Sequence, residues 1–101
     1  MYKIVNTAQR SAVGTTNADI TRPFDVSHGM AEVVLGAGTG TVSVQFRGSN
    51  DGTNYTDIGS AVTSTTRNVS LTSSTTVYQF YRAVTTISTS TKVVDITFYF
   101  A

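Results

Sequence analysis

Threonine and valine dominate this chain and restrict the secondary structure that it can form. Of its 101 residues, 19 are Thr and 13 are Val, whereas Leu occurs twice and Glu once. β-Branched side chains have few χ1 rotamers available in a helix and pack well on a pleated sheet. Helical proteins of this size rely instead on Leu, Ala, Glu and Lys. The composition therefore predicts an all-β protein.

Short alternating segments separated by turn residues predict about eight strands. Residues 40–47 and 92–100 alternate apolar and polar side chains with period two, which is typical of a strand with one buried face. Residues 75–86 carry large side chains on both faces, which predicts a central strand or one whose outer face meets another subunit. This pattern favours a two-sheet antiparallel sandwich of jelly-roll-like topology.

The length predicts one domain with a single core. We assign residues 19–101 to the β-sandwich and residues 1–18, which are small and polar, to an N-terminal arm or an edge segment. The glycine-rich connection at 36–40 predicts a hairpin between the apolar run that precedes it and the alternating strand that follows it. The start of the chain has no apolar run typical of a signal peptide.

The charged and reactive residues exclude most catalytic chemistry. The net charge is +1, so no global field attracts nucleic acid or an anionic membrane, and we predict neither partner. The chain has no Cys, which excludes thiolate catalysis and Cys-based zinc sites, and the single His28 precludes a two-His metal site. No catalytic motif occurs. We therefore predict that the protein is not an enzyme, with no catalytic, cofactor-binding or metal-binding residues and no cofactor.

The densest turn signal, residues 48–54, also contains the strongest candidates for ligand contacts. Asn50, Asp51, Asn54 and Asp57 cluster oxygen ligands of the kind that Ca²⁺ prefers. The same residues are those that a tight turn needs without any ion, and Asp51 followed by Gly52 is typical of such a turn. Tyr55 beside Asn54 offers an aromatic ring and an amide to a sugar. The sequence leaves turn chemistry, calcium and glycan as alternatives for this loop.

Exposed aromatic residues on the strands are the candidates for an interface. We expect Tyr2, Tyr78, Tyr81 and Tyr99 to contact other copies of the chain or a shell protein, because tyrosine is enriched in protein interfaces. Tyrosine is equally expected as a half-buried sandwich residue.

Two segments carry a resemblance to a known class of proteins. The stretch from Phe46 to Gly59, Phe-Arg-Gly-Ser-Asn-Asp-Gly-Thr-Asn-Tyr-Thr-Asp-Ile-Gly, resembles a recurrent segment of small phage virion proteins. The stretch Val-Tyr-Gln-Phe-Tyr-Arg-Ala-Val at 77–84 resembles the aromatic-Arg strand that accompanies it. The first segment is also similar to one in discoidin-like sandwiches, although this chain has no Cys and has Tyr55 where Trp is common.

The resemblance implies a structural virion protein made in the host cytoplasm and carried in the virion. It points first to a capsid decoration (cement) protein, which would bind and stabilise the shell by contacts with the major capsid protein or neighbouring subunits. Cement proteins of this type are often homotrimers, so a homotrimer is the expected assembly. The alternative is a carbohydrate-binding module of a phage tail or fibre that contacts a host glycan.

Overall fold

The computed structural model describes residues 3–10, 14–22, 27–36, 40–63, 67–73, 75–87 and 93–101, with residues 3–10 and Arg67 described by their backbone alone. Eight β-strands and no helix lie in these ranges. In chain order, the strands are β1 (Lys3–Arg10), β2 (Gly14–Thr21), β3 (Gly29–Leu35), β4 (Val42–Ser49), β5 (Thr56–Val62), β6 (Arg67–Ser70), β7 (Phe80–Ile87) and β8 (Val94–Phe100).

The strands form two antiparallel sheets with the connectivity of a jelly roll. Sheet I has the order β1-β8-β3-β6, and sheet II has the order β2-β7-β4-β5. The first strand pairs with the last, the second with the seventh, the third with the sixth and the fourth with the fifth. This is the pairing of one long hairpin rolled up so that its strands alternate between two layers. The all-β, two-sheet jelly-roll prediction is confirmed.

A continuous apolar core fills the space between the sheets. Each described inner strand buries alternate residues, as period two requires; β8, for example, buries Val94, Ile96, Phe98 and Phe100. Aromatic rings connect the two layers across the core. Phe46 of sheet II meets Phe98 of sheet I edge to face, with ring centroids 5.9 Å apart. These contacts hold the two sheets against each other.

The predicted hairpin between β3 and β4 is wrong. β3 pairs with β6 and β8 in sheet I, whereas β4 pairs with β5 and β7 in sheet II. Both strands turn buried faces inward, with Ala31 and Val33 in β3 and Val44 and Phe46 in β4. Alternation shows that each strand has one buried side, and two such strands can either pair or face each other across a core. Here they belong to opposite sheets, so the glycine-rich connection joins the two sheets.

The predicted central strand and the N-terminal segment both have clear places in the sandwich. β7 lies between β2 and β4, which confirms that residues 75–86 contain a central strand. β1 and β2 are edge strands of sheet I and sheet II, respectively, and β2 crosses the predicted boundary between residues 18 and 19. Deleting residues 1–18 would therefore remove one edge strand and most of another.

Candidate functional site

The predicted ligand loop connects β4 to β5 and is organised around the carboxylate of Asp51. Asp51 Oδ1 accepts hydrogen bonds from the backbone N–H groups of Thr53 and Asn54, both at 2.8 Å, and from the Ser49 hydroxyl at 2.8 Å. The Asn54 side-chain amide donates to Oδ2 at 2.8 Å. Gly52 adopts a positive φ of 75°, which glycine allows without steric cost. The loop is a tight turn closed by one acidic side chain.

These hydrogen bonds give the polar side chains of the loop a role that does not require a bound ion. The backbone N–H groups of Asn54 and Thr53, followed by the side chains of Ser49 and Asn54, hold the pKa of Asp51 well below its usual value of 3.8. Asn50 is engaged as well, because its Oδ1 accepts from the N–H of Gln79 at 3.3 Å. Across the described residues, no three His, Asp or Glu side chains lie together as metal ligands. The hydrogen bonds of Asn50, Asp51 and Asn54 favour the turn interpretation of these residues.

We expect the loop to make folding stability depend on pH through Asp51. A carboxyl with a lowered pKa in the folded state stabilises the fold above its unfolded pKa, and this contribution is lost as the pH falls below about 3.8. Asp51→Asn removes the ionisable group. The stability advantage of the wild type over Asp51→Asn should be largest at neutral pH and shrink on acidification, as measured by denaturant unfolding. An advantage that stays constant well below pH 3.8 would contradict this account.

A row of four charged side chains crosses the outer face of sheet II. Asp19, Arg82, Arg47 and Asp57 occupy directly opposed positions on β2, β7, β4 and β5. Arg82 donates to both carboxylate oxygens of Asp19, at 2.7 and 3.1 Å, and this bonding raises the pKa of Arg82. Arg47 Nε lies 2.8 Å from Asp57 Oδ1. Each edge-strand acid thus neutralises one of two arginines that would otherwise repel each other.

Tyr55 completes this face of the sheet. Its ring lies over the guanidinium of Arg82, with 4.0 Å between Arg82 Cζ and the ring centroid, which is a cation–π contact. The sequence placed Tyr55 with the ligand loop, and the structure shows that its ring packs on the neighbouring sheet. Sequence reasoning missed the charged row because its members are far apart in the chain. The alternation of Arg47 and Arg82 with buried residues was the available signal that both face outward.

The interface prediction for Tyr81 is wrong. Tyr81 is fully buried, and its ring contacts Tyr78 and Phe100 at centroid distances of 6.2 and 5.7 Å. Its hydroxyl accepts a hydrogen bond from the N–H of Tyr78 at 3.0 Å, and burial raises the pKa of Tyr81 above its usual 10.0. Tyr81 points inward because it alternates with Arg82, whose partners lie on the outer face. It is therefore a core residue.

The other predicted interface residues occupy different places. Tyr78 is half-buried at the end of the core, where its ring lies over the backbone of Gly48. Tyr99 is half-buried and alternates with the buried Phe98 and Phe100, so it lies on the outer face of sheet I. Tyr2 lies outside the described residues.

The surface has two neighbouring depressions, one lined by Tyr99 and the other lined by Tyr78. The depression at Tyr99 has a volume of about 200 Å³ and is also lined by His28, Gly29, Met30, Ser70, Thr72 and Ala101. The cleft at Tyr78 has a volume of about 370 Å³ and lies between β5 and the residues after β6. Ser70 and Thr72 line both, so the two depressions are neighbours.

Comparisons with protein families, curated proteins and solved structures found no match to this chain. Within the described ranges, no helix is long and apolar enough to span a membrane.

Proposed function

We propose that this chain is a structural virion protein, a capsid decoration protein that binds and stabilises the shell through the outer face of sheet I. The observation that carries the proposal is a cross-strand pair of large side chains on this face. Tyr99 of β8 lies opposite Met30 of β3, both are half-buried, and both line the 200 Å³ depression. Tyr and Met are enriched where proteins bind one another, and a depression beside them can accept a side chain of the partner.

The outer face of sheet II is less suited to this role. Its charged side chains already pair within the chain, and the ring of Tyr55 is held against Arg82. A partner that docked there would have to desolvate these ion pairs, which is costly unless each pair is replaced by equally good contacts. The face that carries Tyr99 offers large side chains with fewer charged groups among its described residues.

The fold and the resemblance support the same proposal. Eight-stranded jelly rolls are common among viral capsid and lectin domains, which is an argument by analogy. The segments around Asp51 and Tyr81 resemble those of small phage virion proteins. A shell offers many identical sites, so a homotrimer could bind several at once, and weak individual contacts would give stable attachment. The proposed partner is the major capsid protein or a neighbouring virion subunit.

Replacing Tyr99 by alanine should release the protein from particles without unfolding it. A central interface tyrosine contributes at least about 2 kcal/mol, so the affinity for stripped particles should fall roughly 30-fold or more. Attachment is measured by co-sedimentation of the purified chain with particles that lack it, and folding by thermal unfolding of each variant.

Tyr55→Ala is the matched control, because it removes the same type of side chain from the opposite outer face. It should attach as tightly as the wild type. Unchanged attachment of Tyr99→Ala, or an equal loss for Tyr55→Ala, would show that the face with Tyr99 is not the binding surface.

A further inference from the structure

The cleft beside Tyr78 combines an apolar base with a polar rim. Its apolar lining comes from Ile58, Leu71 and Tyr78. Five polar residues complete it: Ser70, Thr72, Ser73, Thr76 and Asp57. The volume of about 370 Å³ falls in the range of small-molecule sites, roughly 300–1,000 Å³. The cleft is therefore large enough for a small ligand and has both apolar and hydrogen-bonding surfaces.

The hydroxyl groups keep hydrogen-bonding capacity for a ligand. A hydroxyl has one donor hydrogen and two acceptor lone pairs. The Ser70 hydroxyl donates to the carbonyl of Thr72 at 2.9 Å, which leaves its lone pairs as acceptors. The Thr72 hydroxyl accepts from the N–H of Gly29 at 3.1 Å, which leaves its hydrogen as a donor. The rim can thus both donate to and accept from the same ligand.

Asp57 lines the cleft and supplies a charged acceptor. Its Oδ1 lies 2.8 Å from Arg47 Nε, and its side chain is 60% exposed and therefore open to a ligand. The lining includes no Lys, Arg or His side chain among the described residues. Because Arg47 already pairs with Asp57, a phosphate or carboxylate ligand would find no uncommitted cation among the described residues of this lining. The cleft favours a neutral ligand that carries several hydroxyl groups.

We infer that this cleft binds a neutral saccharide unit. The C–H face of a pyranose ring would lie on Ile58 and Tyr78, above the buried Leu71, and its hydroxyls would donate to Asp57 and exchange hydrogen bonds with Ser70 and Thr72. This activity goes beyond shell attachment and uses a different surface. It also assigns sugar recognition to the cleft and not to Asn54, whose side-chain amide donates to Asp51.

The inference is tested by NMR on the isotopically labelled full-length chain with methyl glycosides of glucose, galactose, mannose and N-acetylglucosamine. At least one should shift the amide signals of residues 57, 58, 71 and 72 with millimolar affinity. Asp57→Asn should weaken that binding about tenfold or more, because a hydrogen bond to a charged group is lost. Glucuronic acid serves as the anionic comparison and should bind more weakly.

Asp19→Asn is the matched control, since Asp19 is the acid at the other end of the same charged row. It should leave sugar affinity unchanged. Three results would overturn the inference: no glycoside shifts these amides, the shifts fall on residues 50–55 instead, or Asp57→Asn binds as well as the wild type. Each result is independent of shell attachment, which is measured on Tyr99.

Discussion

Replacing Tyr81 by alanine is expected to lower the free energy of unfolding by about 3–5 kcal/mol, the usual cost of removing a buried ring. Tyr81 has no exposed surface, and its ring contacts Tyr78, which precedes β7, and Phe100 in the opposite sheet. Domains of this size have a total stability of only about 5–15 kcal/mol. Chemical denaturation should therefore show a large loss, and the variant should be partly unfolded at physiological temperature.

The variant Tyr81→Phe separates the contribution of the ring to stability from the contribution of its hydroxyl. The phenylalanine keeps the packing but leaves the N–H of Tyr78 without the acceptor that it has at 3.0 Å. We expect a smaller loss of about 1–3 kcal/mol. If Tyr81→Ala instead kept full stability and weakened attachment to particles, Tyr81 would be an interface residue and the structural assignment would be contradicted.

Gly48→Ala is expected to destabilise the fold by about 1–3 kcal/mol through overpacking. A Cβ atom at this position would clash with Cδ2 of the Tyr78 ring and lie only 2.5 Å from its Cγ. Those ring atoms are close to the Tyr78 backbone, so a small side-chain rotation cannot relieve the clash. The melting temperature should fall by roughly 4–8 °C for each kcal/mol lost.

Making Gly48→Ala in a Tyr78→Ala variant tests whether the clash with the Tyr78 ring causes the loss of stability. With the ring removed, the methyl group that Gly48→Ala introduces has space, and the substitution should then cost little. A double-mutant cycle should give a coupling free energy close to the cost of Gly48→Ala in the wild type. If Gly48→Ala costs the same in both backgrounds, close packing of Tyr78 on Gly48 is not the reason for the glycine.

The fold class could be predicted from this sequence because its cause is local. The β-branched composition and the alternation in β4 and β8 fix which residues face inward, and the burial of Val44, Phe46 and Phe98 agrees with that alternation. Strand pairing could not be predicted in the same way. It depends on which strands meet across long separations in the chain, and the wrong hairpin between β3 and β4 shows this.

The candidate sites also divide into local features, which the sequence predicts, and long-range features, which it does not. The turn around Asp51 was predictable because the hydrogen bonds to the Asp51 carboxylate come from residues two or three positions away. The charged row and the cleft were not, since Asp19 meets Arg82 and Asp57 meets Ser70 only after the strands are placed in their sheets. Tyr81 was assigned to the wrong side because large residues on both faces of β7 hid which face was buried.

The central claim is that this chain is a repeated, attached component of a virion. Quantitative mass spectrometry of purified particles of the proposed source phage, with the major capsid protein as the internal standard, tests this proposal directly. We predict on the order of hundreds of copies per particle, as expected for a contact repeated over a symmetric shell. Absence of the chain from particles that contain the full set of capsid proteins would contradict the claim.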